Sequence, residues 1–387
     1  MSLSQFAASA VALVTFVVLA IGRIPRFPLN RAAMALLGAG LALALGAITF
    51  EQAVTTIDLS TIVLLLSMMV INAVLELAGF FSWVGDLVIE QANSPMKLLV
   101  LVTLTGGVLS ALFINDPVVL MLTPLVCGVT LKLKYKPLPY LVALATASNI
   151  GSAATITGSP QNILIGMSSQ IPYLAFLARL GPVALMGMLI VIAVVRVIYQ
   201  RDFGPQPASP AHTDAPPNRV VRLPRSVNLP ILRKCLVIIA AMLIAYLAGV
   251  EIPLAAYLAA CVLLFTRRIK TQKILTRIDW LLLFAGLFVV TGALELTVVS
   301  EKLFGLAAAG VAPLALITTV LSNTISNVPA VLLFRPLVPQ LPNPKRTWLT
   351  LAGASTLAGN LTLIGSIANL IVAEQALKFG IRLTFVE

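Results

Sequence analysis

Residues 148–165 read SNIGSAATITGSPQNILI, a polar, broken stretch set inside a long apolar region. Gly151, Gly158 and Pro160 interrupt any continuous helix there. Backbone freed from helical hydrogen bonds is tolerated at membrane depth only where it is buried in protein or lines a wet cavity. A helix broken in mid-membrane, with polar edges, is the usual form of a transporter's binding site. The alternative is a helix-packing face rich in Gly and Ser. The run Pro160-Gln161-Asn162, and a second copy of the pattern described below, favour the binding site.

Composition places that stretch in a bilayer. The chain is 59% hydrophobic and 10% charged, with a mean hydropathy of +1.02, whereas a soluble domain carries roughly 25% charged residues. Residues 5–24, 31–50, 59–77, 173–197, 232–250 and 279–296 each approach the roughly 20 residues that a crossing needs. The first of these has no basic leader and no cleavage site, so it reads as a retained helix. The net charge of +12 comes mostly from Arg and Lys in short loops. That pattern marks cytoplasmic loops and argues against nucleic-acid binding. Arg23, Arg26 and Arg31 place the first loop inside; Glu51 and Asp58 place the next outside. Residues 79–93 are amphipathic and suit an interfacial helix. Residues 253–266 pair with the span before them. Cys127, Cys235 and Cys261 are dispersed, and His212, the single histidine, sits in a Pro-rich segment. No resident metal, cofactor or disulfide framework is expected.

The chain repeats itself. Residues 108–126, VLSALFINDPVVLMLTPLV, match residues 320–338, VLSNTISNVPAVLLFRPLV, at ten of nineteen positions. Further on, Gly158-Ser159 and Asn162 correspond to Gly365-Ser366 and Asn369. Ser148 falls on Ser355, Thr155 on Thr362, and Leu75-Glu76-Leu77 on Leu294-Glu295-Leu296. Residues 98–131 are apolar but interrupted by INDP. Lys97 lies before them and Lys132, Lys134 and Lys136 after, so both ends face the cytoplasm. Two full crossings would take about 40 residues, so a re-entrant hairpin with Asn115 and Asp116 at its tip is expected. The basic loops run residues 59–77 inward and 279–296 outward, which inverts the two halves. The second hairpin, with Ser326-Asn327-Val328-Pro329 at its tip, then enters from outside.

The expected fold is therefore an all-α polytopic membrane protein. It has two inverted repeats, each with a re-entrant helical hairpin and a broken transmembrane helix. Residues 1–57 form N-terminal scaffold helices. Residues 58–199 form the first repeat, with hairpin 98–131 and broken helix 139–170. A cytoplasmic linker spans 200–230, and a scaffold helix pair spans 231–278. Residues 279–387 form the second repeat, with hairpin 312–338 and broken helix 347–377. Span 173–197 has no counterpart after 377, so the second half either ends short of a final span or closes differently.

Two tips and two broken helices would turn four helix termini toward one cavity. N-termini suit anionic or oxygen-rich solutes, and freed carbonyls suit cations. The candidate substrate-binding residues are Asn115, Ser148, Asn149, Ser152, Thr155, Gln161, Asn162, Ser326, Asn327, Ser355, Thr362, Ser366 and Asn369. Each Asn either touches solute or satisfies loose backbone. Asp116 is the acid placed at a tip. Holding a carboxylate at that depth costs a few kcal/mol unless it is paired or protonated. It is assigned to carry the coupling ion, proton or sodium, the alternative being a cap that closes the hairpin. Val328 holds the equivalent place, so coupling would be one-sided. Glu76, Glu295 and Glu374 read as structural groups near helix ends, and Arg335 as a cation reaching to the interface. No paired acids, His cluster or Ser/His set lies in the spans, which argues against an enzyme.

The segments ASNIGSAATITGSPQN and FINDPVVLMLTPL resemble the Ion Transporter superfamily, the arsenite-efflux and silicon-efflux branch in particular. The resemblance runs from the second span to Lys378. Divalent-anion symporters of that group carry Ser-Asn-Thr at both tips, whereas this chain has Ile-Asn-Asp and Ile-Ser-Asn. The resemblance implies a bacterial inner-membrane protein in which hairpins and broken helices move like an elevator against a scaffold. It implies a homodimer and leaves room for an accessory ATPase. The expected function is ion-coupled secondary transport of a small oxyanion or metalloid hydroxide, such as efflux of arsenite, antimonite or silicic acid. A site of Asn, Ser and Thr without Arg or Lys suits such weak acids. A sodium-coupled anion or dicarboxylate transporter and a sodium/proton antiporter are the alternatives.

Overall fold

The computed structural model describes residues 3–21, 29–203, 227–265, 279–295, 297, 305 and 310–384. Most of the linker, with His212, and the basic run 266–278 lie outside the described residues, as do Arg23 and Arg26. The described residues form seventeen α-helices joined by turns and short 3-10 segments, with no strand among them.

The chain opens with α1 (Leu3–Ile21), α2 (Arg31–Ala44) and α3 (Phe50–Thr56). The expected single span over 31–50 is not formed. Its helix stops at Ala44, Gly46 takes a φ of 64°, and a new helix starts after Thr49. The side chains of Thr49 and Gln52 each accept from the other's backbone N–H, at 3.2 and 3.0 Å. That reciprocal cap makes an independent helix start. Asp58 then caps α4 (Leu59–Ala78) by accepting from Thr61 N–H at 3.0 Å. Gly79, with a φ of 82°, separates α4 from the amphipathic α5 (Phe80–Gln91).

Helices α6 (Pro95–Leu112) and α7 (Asn115–Lys132) meet at the two extended residues Phe113 and Ile114. The broken stretch gives α8 (Leu138–Ser152) and α9 (Pro160–Ser169), with Pro160 at the first position of α9, where no backbone donor is needed. Next come α10 (Tyr173–Ile198), α11 (Leu229–Leu247), α12 (Ile252–Leu264) and α13 (Asp279–Glu295). The second copy of the pattern supplies α14 (Val311–Ile325), α15 (Asn327–Phe334), α16 (Pro344–Ala358) and α17 (Ile367–Leu377).

Four of the described helices, α4, α6, α10 and α11, are long and apolar enough to cross a membrane. Helix α10 leaves Leu185, Met186, Leu189, Ile190, Val194 and Val197 exposed. An apolar surface of that extent faces lipid, not water. The molecule is a polytopic membrane protein.

The packing is reciprocal. α4 is held chiefly by α11 and α12, and α13 by α1 and α2. α6 packs on α8 as α14 packs on α16. α9 lies against α15 and α16, and α17 against α7 and α8. Each half thus inserts the end of its broken helix into the other half. Small residues permit this closeness. A Cβ added at Gly151 would fall 2.0 Å from the Gly107 carbonyl oxygen, whereas one at Gly128 meets nothing within 4 Å. Gly151→Ala is therefore expected to lower stability by about 1–3 kcal/mol. Gly128→Ala is expected to be neutral or to stabilise by up to ~1 kcal/mol. Thermal unfolding of the two purified variants checks both.

Candidate functional site

The breaks in the two long helices leave carbonyls without helical partners, and one asparagine in each half collects them. Asn162 Nδ2 donates to the carbonyls of Ser152 at 3.0 Å and Thr155 at 3.2 Å. Asn369 Nδ2 donates to the carbonyls of Gly359 at 2.7 Å and Thr362 at 3.3 Å. In both cases the acceptors lie ten and seven residues upstream. The Gly-Ser-x-x-Asn pattern is thus a clamp on broken backbone, formed twice.

Other predicted residues also serve the fold. The Thr155 hydroxyl donates to the Ala111 carbonyl, and that of Thr362 donates to Asn323 Oδ1 at 2.9 Å. Positions 111 and 323 align in the repeat. Ser110 donates to Ser148 at 3.0 Å, Ser152 to the Asn149 carbonyl at 2.8 Å, and Ser355 to the Ala352 carbonyl at 3.4 Å. None of Ser148, Ser152, Thr155, Asn162, Ser355, Thr362 and Asn369 lines the central cavity.

Asn149 joins the halves. Its Nδ2 donates to Asn369 Oδ1 at 3.0 Å and to Asn360 Oδ1 at 2.8 Å. Its Oδ1 accepts from Ser366 Oγ at 2.9 Å and from Asn115 Nδ2 at 3.3 Å. Thr356 stands at the equivalent place in the second half. It donates to Asn162 Oδ1 at 3.4 Å and accepts from Gln161 Nε2 at 3.3 Å. Sequence reasoning missed Thr356 and Asn360 because neither is matched by an identical residue in the other half.

Between the tips lies a cavity of about 60 Å³, lined by Asn115, Asp116, Gln161, Ser326, Asn327 and Ser366, with apolar residues of α13 beside them. Six predicted residues from both hairpins and both broken helices therefore meet here. The Oδ1 atoms of Asn115 and Asn327 are buried and have no partner among the described residues. An unpaired buried acceptor costs about 1–3 kcal/mol. The same cost falls at the same place in both halves, and each acceptor calls for a donor from a ligand or water. Ser326 adds backbone strain, with a φ of 83° at the turn between α14 and α15.

One expectation about charge is corrected. The site is not free of cations. Arg31, expected in a cytoplasmic loop, begins α2 and lines the cavity, within electrostatic reach of Asp116 and Glu374. The signal for it was an Arg at the first position of an apolar helix, read there only as a topology marker. Arg335 is also placed. It donates to Asp58 Oδ2 at 3.0 Å, and its guanidinium carbon lies 5.5 Å from the centre of the Phe288 ring. This pair lines a larger cavity of about 400 Å³ with Glu295 and Thr291. Among the described residues no cluster of His, Cys, Asp and Glu could hold a metal ion.

The family model described as citrate transporter, CitMHS, matches residues 14–358. The chain belongs to this family. It is a membrane transporter of the Ion Transporter superfamily and not an enzyme. Among its relatives is the silicon efflux transporter LSI3 of Oryza sativa subsp. japonica. The two are 30% identical, over 97% of this chain and 91% of LSI3. A 46 kDa membrane protein of Mycobacterium leprae is also 30% identical, over 98% of this chain and 92% of its own length. The putative transporter arsB of Dictyostelium discoideum is 23% identical, over 92% of this chain and 85% of its own.

The clamps and the tips are expected to separate on mutation. Asn162→Ala and Asn369→Ala each strip two carbonyls of a partner and should destabilise by about 1–3 kcal/mol. Asn115→Ala removes an unpaired oxygen and one long hydrogen bond, and should leave thermal stability within ~1 kcal/mol. Melting curves in one detergent compare the three.

Proposed function

We propose that the protein is a secondary active transporter of a small oxyanion or metalloid hydroxide, in the manner of arsenite or antimonite efflux. It works from a bacterial inner membrane and is driven by a proton or sodium ion carried on Asp116. The observation that carries this reading is the pair of unpartnered tip oxygens, Asn115 Oδ1 and Asn327 Oδ1, on one cavity of about 60 Å³. Such acceptors fit the hydroxyls of a weak acid. The cavity is far smaller than the roughly 300–1,000 Å³ of sites for drug-sized ligands, which favours a solute of a few heavy atoms.

In this reading α6–α7 and α14–α15 are re-entrant hairpins entering from opposite faces. The exchange of α9 and α17 between halves supports an inverted arrangement. Hairpins and broken helices move together, elevator-fashion, against α1, α2, α11 and α12, and the scaffold carries a homodimer contact. LSI3 is named for silicon efflux, which fits a neutral hydroxylated solute. While Asp116 is ionised it offsets Arg31, so a neutral solute meets no net charge from that pair.

A second reading is a sodium-coupled anion transporter, favoured by Arg31 on the cavity. Proteoliposomes loaded with labelled arsenite or succinate, under imposed pH or sodium gradients, distinguish the two. Arsenite flux is expected to follow the pH gradient and to lose that dependence in Asp116→Asn. Two hydrogen bonds of about 1 kcal/mol each are lost in the Asn115→Ala, Asn327→Ala double variant, so its flux should fall at least roughly tenfold. Succinate uptake driven by sodium, with arsenite unmoved, would establish the second reading instead.

A further inference from the structure

A second cavity, of about 100 Å³, lies behind the first, and Asp116, Pro160 and Phe284 line both. Asp116 therefore forms part of the wall between them. Apart from Asp116, the polar side chain on this second cavity is Asn72 of α4. Asn72 is 3% exposed, and neither its Nδ2 nor its Oδ1 has a partner among the described residues. A carboxamide with both ends unmatched is costly to bury, and each end requires a hydrogen-bonding ligand.

The repeat sharpens the point. Aligning Leu75-Glu76-Leu77 with Leu294-Glu295-Leu296 sets Asn72 opposite Thr291. The Thr291 hydroxyl is satisfied by the carbonyls of Leu287 at 2.7 Å and Phe288 at 3.1 Å. The first half therefore has an unpaired Asn72 beside Asp116, where the second has a satisfied Thr291 and Val328. Both departures from symmetry fall on the same cavity.

We infer that Asn72 and Asp116 hold a small cluster of water that delivers the coupling proton to Asp116 from the side of α4. The inference rests on the proposed coupling role of Asp116 and chooses the proton over sodium. A cavity of about 100 Å³ has room for on the order of three waters at ~30 Å³ each. Asn72 offers a donor and an acceptor, which is what a water chain needs at an apolar wall. Dehydrated sodium needs several oxygen ligands, and the side chains here supply Asn72 Oδ1 and one carboxylate. The remaining lining, Leu65, Met69, Ile114 and Leu120 among it, is apolar. The charged group whose field reaches Asp116 is Arg31, across the substrate cavity and itself within reach of Glu374. Water on the Asn72 side gives the proton a path that does not pass the guanidinium.

Infrared difference spectroscopy on the purified full chain in lipid tests this without a substrate. Stepping the pH reveals a protonated-carboxyl band, assigned to Asp116 by its loss in Asp116→Asn. Exchange into D2O then times proton access. Asn72→Leu keeps the side-chain volume and removes both polar atoms. It should slow the exchange at least about tenfold, a modest part of what a positioned proton carrier contributes, while Asn72→Ser should stay near wild type. Equal exchange in wild type and Asn72→Leu overturns the water site and leaves the coupling role standing. Sodium chloride that suppresses the band in wild type but not in Asn72→Leu assigns the cavity to sodium and also overturns it. A wild-type protein with no pH-sensitive Asp116 band removes the coupling role, and the inference with it.

Discussion

Broken backbone inside a membrane must find its hydrogen bonds within the protein, and the rest of this structure depends on how that is done. Asn162 and Asn369 each take two carbonyls freed at a helix break. With those satisfied, the new helix starts at Pro160 and Ile367 can be brought to the centre of the molecule. The clamps face each other through Asn149 and Thr356, which bond the clamp oxygens of the opposite half. One polar layer therefore secures both breaks and ties the halves together. The tip oxygens of Asn115 and Asn327 remain unsatisfied on the central cavity, and in the proposed function they meet the solute.

The sequence reveals the two halves well and the division of labour poorly. The matched segments around Asn115 and Asn327 locate both helix–turn–helix pairs, and Gly158 and Gly365 locate both breaks, because glycine, proline and polar residues inside apolar runs have few other uses in lipid. Whether an Asn in such a run binds solute or backbone depends on which carbonyls the break leaves free. That is a property of the folded path, so Asn162 and Asn369 read the same as Asn115 until the path is known. The short α3 was missed because residues 32–48 are apolar throughout and suggest one span running on to Phe50, and the Thr49–Gln52 cap is visible only once the helix is expected to stop. Asn72 did leave a signal: it is an amide in the middle of the apolar α4, and such residues are costly there.

Charge is used sparingly and in opposed pairs. Arg31 and Asp116 bring α2 and the tip between α6 and α7 to the same cavity. Arg335 and Asp58 join α15's end to the cap of α4. In the first pair one member sits on an element proposed to move and the other on an element proposed to stay. The Arg335–Asp58 ion pair is partly buried, and a pair of this kind costs much when one partner is removed while contributing little net stability.

The central claim is that two hairpin tips from opposite halves meet on one buried cavity. The most direct test is chemical cross-linking in a chain with Cys127, Cys235 and Cys261 replaced by serine and with Asn115→Cys and Asn327→Cys introduced. A short bifunctional thiol reagent should link the two tips within one chain, and solute that occupies the cavity should slow the reaction. Failure to form that link while both thiols react freely with a bulky, membrane-impermeant reagent would contradict the account, because the tips would then lie apart at the water boundary.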